Sequence, residues 1–235
     1  MTEPLALSVP ATAGLAADRW LGMSRATGLV GLVTFVLLFG PIIAVSTLGE
    51  PPFSATSEQA RDFLVKTGVG WVAVAQAVTM MAAIGLVWFV VGLSLLLARA
   101  EGNPAWRSVV ALASGMLLPA YVLIDASWGA AANRGSEIDP ALAAYAFDVG
   151  NLGLANIWVA MGSFAVVSGW VILSTRMLGR WLGWWAVLAG AGLVACRFAW
   201  TSELWFGPYF AFWSWVTVVC VELVRGRVGR AGGQP

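Results

Sequence analysis

The sequence predicts an all-α protein: a polytopic membrane helical bundle of six transmembrane helices, with both termini cytoplasmic (N-in/C-in). Three observations predict it. The chain is 60% hydrophobic and 11% charged, against about 45–50% apolar and about 25% charged in soluble domains. Its apolar residues gather in runs long enough to cross a hydrocarbon core of about 30 Å. Its Arg and Lys residues concentrate on alternate connecting turns, the positive-inside pattern.

Residues 1–26 carry Pro4, Pro10 and Asp18 ahead of Arg19, Trp20 and Arg25. They read as a disordered cytoplasmic tail ending in a short interfacial turn. The first span is 27–48, with Pro41 inside it as a kink. Its apolar run exceeds the roughly 7–15 residues of a signal-peptide core. Residues 49–70 are polar, and after Pro51-Pro52 the pair Thr56 and Gln59 fits a capping box, which predicts a short surface helix. The second span, 71–98, carries no charge. A hydrophilic turn follows with Arg99, Glu101, Gly102, Asn103, Pro104 and Arg107.

The third span, 108–131, contains Pro119 and Asp125. Asp139-Pro140 has the form of an N-cap followed by proline at the first helical position. The fourth span is 141–175, and a helix from 140 to 175 would be about 54 Å long. It is therefore expected either to project beyond the membrane or to break near Gly150 and Gly153. A basic turn at 176–183 leads to the fifth span, 184–206, which holds Arg197 and Glu203. Gly207-Pro208 turns the chain into the sixth span, 209–224, and 225–235 forms a basic cytoplasmic tail.

The charges set the expected orientation. Arg19, Arg25, Arg99, Arg107, Arg176, Arg180, Arg225, Arg227 and Arg230 fall on one side. Only Arg61, Lys66 and Arg134 fall on the other. That bias places both termini in the cytoplasm of a multi-pass cell-membrane protein. Tryptophans at 20, 106, 181, 184 and 185 mark the inner boundary, and those at 71, 128, 200 and 205 the outer one. Trp88, Trp158, Trp170, Trp213 and Trp215 lie between, where packing is the expected role.

Composition also removes chemistry. The chain has no histidine, which excludes imidazole triads and His-ligated haem or zinc. Lys66, the single lysine, lies between spans, so a lysine imine in the bundle is not expected. Cys196 and Cys220 sit in separate apolar runs and read as small buried hydrophobes. No metal or other cofactor is expected. The expected partners are the lipid bilayer and an apolar small-molecule or lipid ligand, with no nucleic acid.

What remains is a set of polar groups within the apolar runs. At about 1.5 Å per residue, Asp125 lies roughly 26 Å and Arg197 roughly 20 Å from the inner edge. Glu203, Asn156, Asn151 and Asp148 fall in the same outer half. An arginine inside a span costs at least about 2.5–3.5 kcal/mol, so Arg197 should face the bundle and pair with Asp125, Asp148 or Glu203. The expected site is an outward-facing pocket in which Arg197, Asn151, Asn156, Trp128 and Trp200 bind a small apolar or lipid-like molecule. Asp125, Asp148 and Glu203 are the candidate catalytic residues of an alternative. A carboxylic acid kept protonated in an apolar site could act as the acid or base of a cyclase-type enzyme on an isoprenoid-like lipid. Two blander readings stand beside these: an ion pair that only fixes helix register, and a structural subunit of a membrane complex. Glu222 with Arg225 reads as a snorkelling surface pair, and Ala186 with Gly190 as a small-xxx-small packing pattern.

The stretch LGRWLGWWAVLAG, residues 178–190, with its G-R-W-L-G-W turn, resembles a group of actinobacterial six-span integral membrane proteins of unknown function. The polar-headed fourth helix, with Asp148-x-x-Asn151, is similar too. The resemblance implies six spans and no particular reaction.

Overall fold

The computed structural model describes residues 11–68, 70–124 and 127–227. Every regular element among the described residues is helical. Among the described residues, six stretches are long and apolar enough to cross a membrane: Asp18–Ser46, Ala77–Glu101, Trp106–Ala132, Pro140–Thr175, Arg180–Ala199 and Glu203–Val224.

The first helix, α1, is Ala11–Ser46. The tail expected to be disordered is therefore helical from Ala11 onward. Its alanine-rich sequence favours helix, and tertiary contacts hold it. Ser24 is buried and donates its hydroxyl to the Leu223 carbonyl at 3.0 Å. Trp20 lies under the Arg99 guanidinium, 4.4 Å from ring centroid to Cζ. Helix α2, Ser57–Thr67, begins with the expected capping box: Gln59 N donates to the Thr56 hydroxyl, and Thr56 N to Gln59 Oε1. Helix α3 is Gly70–Glu101, α4 is Trp106–Ile124 and α5 is the short Ser127–Ala132.

Helix α6, Pro140–Thr175, starts as the sequence predicts, with Asp139 Oδ1 accepting from Ala141 N and Leu142 N. It runs unbroken, so the break expected near Gly150 and Gly153 is not formed. Gly150 and Gly153 are clearances for neighbours. A Cβ at Gly150 would collide with the Trp128 indole nitrogen, and one at Gly153 would stand 3.0 Å from the Tyr121 ring.

Helix α7, Arg180–Cys196, is shorter than the expected fifth span. After it the chain makes two 3₁₀ turns, Arg197–Ala199 and Glu203–Trp205, with an extended Ser202 between them. Helix α8, Phe206–Val224, completes the chain of elements.

The six long elements close into a ring in chain order: α1 on α3, α3 on α4, α4 on α6, α6 on α7, α7 on α8 and α8 back on α1. Side chains fill its centre. Trp158, Trp215, Phe164, Phe212, Leu93, Leu97 and Met161 are all buried. The most extensive contact is α6 against α7, and small residues make it possible. A Cβ on Gly162 would meet the Gly190 carbonyl at 2.6 Å, and one on Gly169 the Gly183 carbonyl at 2.6 Å. Close backbone approach of this kind substitutes for a hydrophobic driving force when the surrounding medium is itself apolar. The outer faces of the ring stay apolar and exposed, as at Val36, Trp88, Ile124 and Leu188. Such a surface suits lipid and not water. Trp88 and Trp170 belong to it, whereas Trp158, Trp213 and Trp215 pack inside as expected.

A second, smaller core caps one end of the ring. It joins Phe63 and Leu64 of α2, Ala131 of α5, Ile138, and Ala143, Ala146 and Phe147 of α6. The first turns of α6 serve this cap. The two ends of the bundle are called below the Glu101 end, where α3 turns into α4, and the Arg197 end, where α7 turns into α8.

Candidate functional site

Arg197 sits immediately beyond the last residue of α7, as its C-cap, and is half-buried. Its Nε donates to Asn156 Oδ1 on α6 at 2.9 Å. Among the described residues the ion pairs within 4 Å are Arg107–Glu101, Arg225–Glu222 and Arg227–Glu222. The expected salt bridges from Arg197 to Asp148 or Glu203 are therefore not formed. The physical reason lies in where α7 stops. The arginine is at a helix end and not mid-span, and the C-terminal carbonyls there carry partial negative charge that favours a cation. Asp148 and Glu203 are both exposed. They do not line a closed apolar cavity, and a general acid held protonated by burial needs such a cavity. Asp125 lies outside the described residues.

The polar groups that the sequence clusters on α6 divide between two faces. Asn156 is exposed and turned to Arg197. Asn151 is 2% exposed, and among the described residues its Nδ2 has no hydrogen-bond partner. Asp148, one turn before it, is exposed, so the Asp148–Asn151 spacing does not make a common lining.

Trp128 is not a wall beside Arg197 either. It stacks on Phe147 with centroids 5.4 Å apart and planes 6° apart, and Phe63 meets both rings edge-on. That aromatic trio belongs to the cap core. Tyr121 donates its hydroxyl to the Gly150 carbonyl at 3.2 Å on the same side of α6.

Trp200 does remain on the Arg197 side, one turn after it. Phe53, from the loop between α1 and α2, packs on Trp200 with centroids 5.7 Å apart and on Trp205 at 5.9 Å. Trp205 in turn stacks on the buried Trp158 at 5.2 Å. This aromatic column ties the α1–α2 loop to the α7–α8 turn. Phe53 and Trp205 were not among the expected site residues. Nothing in the local pattern around Pro51-Pro52-Phe53 signals a contact about 150 residues away in sequence.

The Glu101 end holds an ion-pair network where the sequence predicts only a hydrophilic turn. The Glu101 side chain is 2% exposed. Its Oε1 accepts from Arg107 N and Nε, and its Oε2 from Ser108 N and Oγ. Arg107 also donates to Ser174 Oγ at 3.0 Å and lies over the Trp170 ring. Two opposite charges flanking a Gly-Asn-Pro turn were the available signal. The Glu222–Arg225 surface pair forms as expected, at 3.1 Å.

An open apolar groove of about 640 Å³ lies between α7 and α8. Trp181, Trp184, Trp185, Leu188, Ala189, Gly207, Pro208 and Ala211 line it. None of the residues expected to form a site is among them. The arrangement at Arg197 is thus a surface-accessible cation at a helix end, steadied by one amide oxygen, with Trp200 of the aromatic column three residues further along the chain. Chemically it offers hydrogen-bond donors and positive charge. No family model, curated protein or solved structure matches the chain.

Proposed function

We propose that this is an integral membrane protein, both termini cytoplasmic, which binds a small apolar or lipid-like molecule at the Arg197 end. The observation that carries the reading is the Arg197 guanidinium. Asn156 fixes it, and no carboxylate among the described residues stands within 4 Å to neutralise it. A cation held in place at the end of an apolar helix suits the polar end of an amphiphile whose apolar part lies along the helices. The orientation rests on the charge bias: Arg99, Arg107, Arg176, Arg180, Arg225 and Arg227 all fall at the Glu101 end. The Arg197 end then faces outward.

The test is ligand retention. Native mass spectrometry of the full chain released from detergent is expected to show a bound amphiphile in the parent protein and its loss in Arg197→Leu. Equal ligand content in the two proteins would remove the reading.

A further inference from the structure

We infer that the ligand's polar end is an oxyanion, a phosphate or a carboxylate, received by the terminal NH1/NH2 fork of Arg197. This deepens the reading above and rests on it. A guanidinium presents five N–H donors in a rigid plane. Only Nε is engaged among the described residues, and its partner is the neutral Asn156 Oδ1. That bond orients the plane without cancelling its charge. It leaves the NH1/NH2 edge, whose two parallel N–H vectors match two oxygens of a carboxylate or phosphate. No aromatic ring covers the guanidinium face: among the described residues the arginines set over rings are Arg99 and Arg107.

The contrast with Arg107 supports the assignment. Arg107 spends Nε on Glu101 and NH1 on Ser174, and its charge is cancelled in place. Arg197 is held with comparable geometry but by a group that carries no charge. Asn156 is a positioning residue in this account. An aspartate there would pair with the arginine and close the site.

The chemistry does not distinguish a headgroup of the surrounding bilayer from a free amphiphile, so the experiment has an arm for each. The full chain in nanodiscs of zwitterionic lipid is titrated with dodecyl phosphate, dodecanoate and dodecanol, three probes of one chain length. The two anions are expected to bind about tenfold or more tighter than dodecanol, as a charge-assisted bond requires. Arg197→Gln should erase that gap, and Asn156→Asp should erase it too, by setting a carboxylate against the guanidinium of a protein that stays folded. Asn156→Ala should narrow the gap. Repeating the titration with phosphatidylglycerol in the nanodisc identifies the source. Competition points to bilayer phosphate, its absence to a free ligand, and either agrees with an oxyanion site.

Equal affinity for all three probes would overturn the oxyanion assignment and leave the amphiphile reading standing. So would an anion preference that survives Arg197→Gln. Binding of none of the three would overturn both.

Discussion

At the Glu101 end a nearly inaccessible carboxylate accepts four hydrogen bonds from two consecutive residues, and its arginine partner is further held by Ser174. At the Arg197 end a half-buried arginine has, among the described residues, one neutral oxygen as its side-chain partner, while Asp148 and Glu203 stand exposed. Both ends must manage charge at the edge of an apolar bundle. The first does so by pairing inside the fold. The second leaves positive potential at its surface, at the C-terminal end of α7. A self-satisfied network stabilises the connection it spans, and such a network has little left to offer a ligand. An oriented, uncancelled charge contributes little to folding and is free to bind.

That contrast can be broken by mutation. The largest effect is expected for Glu101→Gln. Losing the ionised acceptor should cost about 2 kcal/mol, the range for hydrogen bonds to charged groups, read as a lower melting temperature in detergent. A melting temperature unchanged from the parent would mean that the turn does not depend on its network. Next is Asp139→Ala. The Arg197 end is held by caps and apolar contacts, so removing the α6 N-cap should cost about 1 kcal/mol, with hydrogen exchange quickening first in the opening turns of α6. Protection lost uniformly along α6 would contradict a local cap.

Arg197→Gln should be nearly silent in stability, within about 0.5 kcal/mol, while removing ligand. A destabilisation as large as that of Glu101→Gln would show the cation to be structural, and the two ends would no longer differ. Smallest is the double variant Asp148→Asn with Glu203→Gln. Both side chains are exposed and outside the recorded ion pairs, so thermal stability and ligand content should match the parent. Loss of ligand in that variant would return these carboxylates to the site.

Much of the framework was legible in the sequence, and the legible parts are those governed by neighbours in the chain. The Thr56–Gln59 box and the Asp139-Pro140 start are contacts within one turn. The apolar runs announce themselves by hydropathy alone, +0.82 on average over the chain. The candidate site was less legible. Asn151 and Asn156 were grouped by depth. Five residues of helix turn the side chain by about 140°, so the helical period alone could have separated them. The end of α7 at Cys196 had no such signal, because the residues that follow, RFAW, are apolar enough to continue a helix. Gly150 and Gly153 could equally have been hinges. Only the Trp128 and Tyr121 rings packed against them decide that they are clearances.

The amino-acid order by itself determined six apolar helices, the caps at Thr56 and Asp139 and a strong bias of arginine to one end. These follow from sums over adjacent residues: transfer free energy, helix propensity and net charge per turn. What each polar group touches was decided only when α6 met α7 and the α1–α2 loop reached Trp200 and Trp205. A partner for Arg197 depends on where one helix stops relative to the side of another. Stopping point and facing are set jointly by packing across the ring, so no stretch of the chain read alone contains them.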